Sequence, residues 1–459
     1  MTRLNILTSY EIDAIYKPPK FSPEEKQTFF ALSEDDLRYL ETLKSNIPAQ
    51  INYIMQMGYF RATRSFFHIN FFRLREDVRF ILEAHFPNCS YPKKNIGKHL
   101  IYKNQKQIIK LFCTKYPSKA FLQKMLGYGQ EVSKRDLRPK SIFYELLDYC
   151  QKANVIRPSY SILQRITSTI LKLENKRLHK KLKQLLDKDT KRSLGRLLKM
   201  DEIFYKLTLL KKDPKDFGTN EMRRELTKQG YIASIFEKGK VILAKLDISR
   251  QNIQYYAELA EYYDISKLKR MKKFTTYLYL LCFVWQRFNK INDHLVTYFI
   301  YKTNSYIKDA DQFAKNEVYQ AKLDHDANKV IAGKMLFLYS NKKIEDKMLR
   351  PKAFSIVPEK VFDQFVRTII KPNFDNIFYQ WKYYSKTRHA IKMNLRPVFK
   401  ELLFDSEKKR GLLDAIEFLK KYIADPTKFR KVLMSALPLE FFPKKLRQYL
   451  IKQESRDED

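Results

Sequence analysis

Apolar positions in this chain recur at helical spacing: Ile12, Ile15 and Tyr16, then Leu37, Leu40 and Leu43. Start signals precede these runs. Thr8 with Glu11, Ser22 with Glu25, and Ser33 with Asp36 each place a hydroxyl cap three residues before a carboxylate, and Pro23 holds the favoured first helical position. The pattern predicts three short helices, then a helix from about Pro48 to Phe60 and another through Leu74, Val78, Ile81 and Leu82.

The stretch NCSYPKKNIGKH, from Asn88 to His99, is polar and basic and carries Pro92 and Gly97, so it reads as a connector. Helices are expected around Gln105 to Cys113 and Lys119 to Tyr128. Pro139 then opens an apolar-periodic helix through Ile142, Phe143, Leu146, Leu147 and Cys150. A turn follows, and a second helix begins near Ser161, where Gln164 completes a capping-box pattern. This pair fits a helix-turn-helix whose second helix offers Ser159, Tyr160, Gln164 and Arg165 to base edges, and equally an ordinary helical hairpin.

Beyond it lie a basic helical stretch from Lys172 to Lys212, a break at KKDPKDFGTN, and helices from Met222 to Leu246 and from Ser249. A long aromatic helix should run from Phe274 to about Tyr301. Four further helices are expected near Pro358 to Ile370, Asn373 to Ile391, Arg396 to Leu403 and Lys409 to Tyr422, with the polar end KQESRDED fraying. No fixed-period repeat is visible. The fold expected is all-α and multi-domain, divided at 1–90, 91–215, 216–350 and 351–459.

Composition changes this picture in one respect. The 459 residues include 89 Lys and Arg against 51 Asp and Glu, a formal net charge of +38. Self-repulsion of that size opposes compactness, and a polyanionic partner is the simplest reason to keep it, although AT-rich drift also enriches lysine. Nucleic acid leads, because each phosphate contact releases condensed counterions.

Other chemistry is scarce. With 10 glycines there is neither a GxGxxG nor a GxxxxGK[ST] loop. Cys89, Cys113, Cys150 and Cys282 form no CxxC pair, which argues against a zinc site or a disulfide framework. Asp324, His325 and Asp326 are adjacent on a helix and point in different directions, so a solvated face is expected there. No apolar run reaches membrane-spanning length and no secretory signal opens the chain, so a cytoplasmic protein is expected. Aromatics mix with cations at Phe71, Phe72, Arg73 and Arg75 and at Tyr91, Lys93 and Lys94; the rings at Phe66, Phe67, Phe71 and Phe72 suit a core, leaving the arginines as candidates.

The opening TRLNILTSYEIDAIYKPP followed by ALSEDDL resembles the start of the replicative transposases of the Tn-three family. MQMGYFR ending in Arg61, RPSYSILQRI at 157–166 and YLYLLCFVWQRFNKINDHLV extend the likeness, as do LRPVFKELLFDSEKKRGLLDAIEFLKKY and PLEFFPKKLRQYL. The chain departs from the family at Asn104, Gln105 and Gln107, where relatives carry basic or His residues.

The resemblance implies binding of transposon terminal inverted repeats by helical domains, with later helices for dimerisation and scaffolding. It implies no catalytic residue and no cofactor here, because the metal-binding acidic triad of the family lies in a C-terminal region this sequence does not include. The expected DNA contacts are Arg61, Arg64, Arg73 and Arg75, the connector's Lys93, Lys94 and Lys98, and Arg157, Ser159, Ser161, Gln164 and Arg165. Expected partners are double-stranded DNA on the bacterial nucleoid, and a second copy or a catalytic transposase half; no membrane partner is expected. The rival readings are a dimerisation or regulatory module acting on an intact transposase, and an RNA-binding protein.

Overall fold

The structure, a computed structural model, describes residues 4–43, 46–201, 204–404 and 410–424. These residues form nineteen helices and a single two-residue hairpin, so the chain is all-α as its apolar spacing demands. They divide into two compact units, one of residues 1–207 and 235–286, the other of the described parts of 208–234 and 287–459.

In the first unit each predicted start signal closes as a capping box. Thr8, Ser22 and Ser33 accept from the backbones of Glu11, Glu25 and Asp36, whose carboxylates return the bond, opening α1 (Ser9–Tyr16), α2 (Pro23–Phe29) and α3 (Glu34–Glu41). The helix α4 (Ile47–Thr63) follows, with every side chain from Ala49 to Phe60 buried. Helices α2, α3, α5 (Arg75–His85) and α6 (Lys98–Leu111) surround it in a core that includes Phe30, Tyr53, Tyr59, Phe71 and Ile108.

A helix buried on all sides must satisfy its polar side chains internally. Gln50 donates to Leu40 O at 3.0 Å, Gln56 to Phe67 O at 2.8 Å, and Tyr59 to Asp77 at 2.5 Å. Asn104 of α6 donates to Ala49 O at 2.9 Å and accepts from Tyr39 at 3.0 Å. At Gly58 a Cβ would overlap the Phe30 ring. Gly58→Ala is accordingly expected to cost about 1–3 kcal/mol in chemical denaturation through overpacking; an unchanged midpoint would show that Phe30 has room to move.

A second core joins α7 (Lys119–Arg135), α8 (Pro139–Lys152) and α9 (Tyr160–Leu185) through Met125, Ile142, Phe143, Leu146, Leu163 and Ile170. Leu7, Ile12, Ile15 and Tyr16 pack here as well, so residues 1–90 are shared between two cores, with α1 on the second. A Glu11–Lys140 ion pair fastens α1 to α8, and Lys140, with the Thr8 backbone, holds the Glu11 carboxyl down at about 2. The unit continues through α10 (Lys188–Leu197), strands β1 (Met200–Asp201) and β2 (Phe204–Tyr205), and the start of α11 (Lys206–Lys211). It also takes residues from α12 (Thr219–Leu246), α13 (Arg250–Tyr262), α14 (Ile265–Arg270) and the start of α15 (Lys273–Ser340). Asn252 of α13 reaches back to α7, donating to Ser133 O at 2.8 Å and accepting from Leu137 N at 2.7 Å.

In the second unit, the aromatic helix expected to end near Tyr301 runs on to Ser340, because residues 302–340 contain no proline and Gly333 alone does not stop it. Helix α18 (Asn376–Glu401) lies antiparallel along α15, with Gln380 donating to Asp311 at 2.5 Å and Asn394 to Tyr306 at 2.9 Å. It merges two expected helices despite the internal Pro397, since Phe399 beyond the proline stacks on Phe299 at 5.4 Å. Helices α16 (Asp346–Ile356) and α17 (Glu359–Ile370) share a small core of Met335, Ala353 and Val357, and α19 (Arg410–Ala424) follows α18. Buried Arg287 pairs with Asp213 at 2.6 Å, and Lys290 does so at 2.7 Å. Burial alone would raise the Asp213 carboxyl, but these two cations hold it at about 2.

No helix among the described residues is long and apolar enough to cross a membrane. The segments PLEFFPKKLRQYL and KQESRDED lie outside the described residues.

Candidate nucleic-acid interface

Of the cations singled out from sequence, Arg61 is committed to the interior. Its Nη2 pairs with Asp36 at 2.7 Å, and its Nη1 donates to Phe29 O at 3.2 Å and to Ala31 O. Asp36 is fully buried and also accepts from Tyr53 at 2.8 Å and from the Ser33 hydroxyl at 2.8 Å. The two segments ALSEDDL and MQMGYFR are therefore halves of one buried network that clamps α4 to the start of α3. Both terminal nitrogens of Arg61 are thus engaged within the protein.

Arg64, three residues on, is exposed, with its guanidinium 4.6 Å from the Phe112 ring centroid and no hydrogen bond or ion pair among the described residues. Arg73 and Arg75 are exposed too, ahead of and at the start of α5. Tyr91 donates to Phe71 O at 2.6 Å, and Asn95 accepts from Phe71 N at 2.9 Å. Both anchors lie on one residue, so the connector is pinned, and Lys93 and Lys94 between them sit beside the segment carrying Arg73 and Arg75. All four are exposed, as is Lys98 at the start of α6. Burial raises the Tyr91 hydroxyl, and the nearby Arg75 and Arg79 work against that rise, which marks the locality as electropositive. Of the neighbouring rings, Phe67 and Phe71 are core and Phe72 is exposed.

The helical pair α8 and α9 is present with a turn of residues 153–159, but its expected readout residues separate into two groups. Arg157 is half-buried: Nη1 donates to Ile15 O at 2.7 Å and Nη2 to Thr63 O at 3.3 Å, so its charge caps the carbonyl ends of α1 and α4. Gln164 is buried and donates to Leu4 O at 2.8 Å, which leaves no Ser161–Gln164 capping box. The helix instead starts one residue earlier, with Ser159 at the N-cap and its hydroxyl 3.1 Å from that of Ser161. Ser159, Ser161 and Arg165 are exposed, and these remain able to meet a groove.

A further cationic feature among the described residues is one that the candidate residues above touch only at its edge. Arg165, Lys172, Lys176, Lys180 and Lys183 are all exposed on α9. At helical spacing they fall in a sector of roughly 80°, a stripe about 27 Å long that matches about eight base pairs. The acid of α9, Glu174, is buried on the opposite side and held by Arg177 at 2.7 Å. A second element adds to the stripe. Thr275 lies 3.2 Å from His179 of α9, bringing up the segment in which Lys267, Lys269, Arg270, Lys272 and Lys273 are all exposed. Burial lowers the His179 pKa, and Lys272 lowers it further. Lys188, Arg192 and Arg196 continue the exposed cations onto α10, where Asp187 is 3.8 Å from Lys238 and Asp189 is exposed. The spacing of the lysines in LKLENKRLHKKLKQL carries this signal, once each position is projected onto a helix.

Among the described residues no group of three or more His, Cys, Asp or Glu is placed to hold a metal ion. His325 faces α17, its Nδ1 3.3 Å from Thr368 O, while Asp324 accepts from Gln320 at 2.9 Å. Cys150 is buried, and burial pushes its thiol up to about 11. Residues 6–170 match a family described only as a domain of unknown function, DUF4158. No curated protein matches the chain.

Proposed function

We propose that this chain binds double-stranded DNA, acting in the bacterial cytoplasm as the non-catalytic N-terminal portion of a Tn-three family transposase that recognises transposon terminal inverted repeats. The observation that carries the reading is the α9 stripe: five exposed cations on one helix face, the helix's acid buried behind it, and a second basic segment packed alongside. A scattered lysine surplus would not align in this way. Most of the segment resembling the family's opening, and all of the RPSYSILQRI motif, fall within the residues matched by the DUF4158 family, which supports treating 6–170 as one functional region. No catalytic step is assigned to this chain.

Phosphate and base contacts separate under titration. Duplexes bearing a transposon end, scrambled duplexes and duplex RNA are compared by mobility shift across a salt series. A steep inverse dependence on salt is expected, with log affinity falling about 0.9 for each phosphate contact per decade of salt. Binding insensitive to salt, or tighter on duplex RNA than on DNA, would remove the proposal. Lys93→Ala is expected to lower affinity on all duplexes alike and to flatten the slope by about one unit, whereas Arg165→Ala should erase about 1–3 kcal/mol of preference for the cognate duplex. Identical effects of the two substitutions would contradict this division of labour.

A second reading, association with another copy of the chain, is favoured by α15. Tyr319, Leu323, Val330 and Phe337 are exposed by 65%, 47%, 63% and 70% and repeat at coiled-coil spacing along one line of the helix. Sedimentation of the wild type and of Leu323→Glu/Val330→Glu separates the readings, since a dimer dissociated by the substitutions supports pairing through this face.

A further inference from the structure

We propose that the cleft between the two helical cores of the first unit is a phosphate site, occupied by a backbone phosphate of bound duplex. The proposal rests on the duplex-binding reading above. The cleft has a volume of about 260 Å³ and is lined by Arg64, Thr114, Gln151, Asn154, Val155 and Ile156.

The Arg64 and Thr114 donors are unspent, whereas the Asn154 amide is already engaged. Arg64 stacks on Phe112, an arrangement that leaves the guanidinium edge free to grip an oxyanion in bidentate fashion. Thr114 lines the cleft and is 5% exposed, and its hydroxyl is buried with no hydrogen-bond partner. Buried hydroxyls are rarely left unpaired, and this one would meet a phosphate oxygen by rotating toward the cleft that its residue lines. No carboxylate lines this cleft. Asp148, on an adjoining cavity that shares Arg64, Gln151 and Val155, is paired with Lys152 at 2.6 Å. Exposed Lys115 stands at the rim, its carbonyl accepting from Ile156 N at 3.0 Å.

The backbone is strained at this place. Among the described residues four non-glycine residues adopt positive φ; two of them line the cleft, Arg64 at 54° and Asn154 at 50°, and a third, Cys113 at 48°, directly precedes Thr114. Asn154 tolerates that conformation and uses it to donate to Phe112 O and Cys113 O, each at 3.1 Å. Arg64 does not tolerate it readily. It occupies the C-cap of α4, where glycine is favoured, so the stack on Phe112 has to offset the backbone strain of an arginine there. Strain held at a ligand site is the general pattern such a residue fits.

That conflict supplies the test. Arg64→Gly relieves the left-handed backbone while removing the cation and its stack on Phe112, opposed effects of similar size, so its thermal midpoint should stay close to the wild type's. Its salt slope for duplex binding should flatten by about one unit, and its affinity near physiological salt should fall about fivefold. Thr114→Val, nearly isosteric, should keep the midpoint and lose about threefold in affinity with the slope unchanged. Inorganic phosphate, titrated without DNA, should raise the midpoint of the wild type but not that of Arg64→Gly.

Wild-type slope and affinity in Arg64→Gly would overturn the cleft while leaving duplex binding intact. Protection by phosphate combined with an unchanged duplex slope would assign the cleft to a free anion and overturn it equally. A wild type that binds no duplex would sink the broader reading and this one with it.

Discussion

Arg61→Ala is expected to destabilise the first unit by about 3–5 kcal/mol, because it strands the fully buried Asp36 carboxylate with only neutral donors. The side chain of Asp36 is 1% exposed and that of Arg61 23%, so solvent cannot take over the lost partner. Tyr53 and the Ser33 hydroxyl still donate to the carboxylate, which places the loss toward the lower end of that range. Urea denaturation measures it. A cost below about 1 kcal/mol would show that the two hydroxyls suffice and that Arg61 is free for other work. Where the variant remains folded, its duplex binding should keep the wild-type salt slope, since Arg61 meets no phosphate.

The opposite outcome is expected for Lys176→Gln, Lys180→Gln and Lys183→Gln combined. These side chains are exposed and glutamine keeps the helix propensity of lysine, so the melting midpoint should hardly move. If each lysine meets one phosphate, the slope of log affinity against log salt loses about 2.7 units, and affinity near physiological salt falls about 100-fold. Anisotropy with a labelled duplex reads both quantities. An unaltered slope would place the phosphate backbone elsewhere on the molecule and remove the observation on which the proposed function stands. Taken together, the two variants separate a cation that maintains the fold from cations available to a ligand.

Much of the helical scaffold was legible because its signals are local. A hydroxyl and a carboxylate three residues apart close a capping box by backbone geometry alone, and at Ser22 and Glu25 nothing distant is needed. Boundaries were legible only where a local breaker exists. After Tyr301 none does, and α15 continues to Ser340. Before Arg396 a breaker does exist, and packing of Phe399 on Phe299 overrides it. The candidate site was read less completely. Arg73, Arg75, Lys93, Lys94, Lys98 and Arg165 are exposed as anticipated, whereas Arg157 and Gln164 serve the interior. Their partners lie in segments far away in the chain, Gln164 and Leu4 being 160 positions apart.

What the amino-acid order determined by itself is the helical character of the protein, its start signals and its surplus of positive charge, since each depends on neighbours within one or two turns or on a simple count. Which cations are available to a partner was decided only by the tertiary structure. An arginine at a helix end looks the same in sequence whether it faces water, as Arg64 does, or closes on a buried carboxylate, as Arg61 does. The difference is set by the desolvation of a group twenty-five residues away, Asp36, and folding is what removes that group from water.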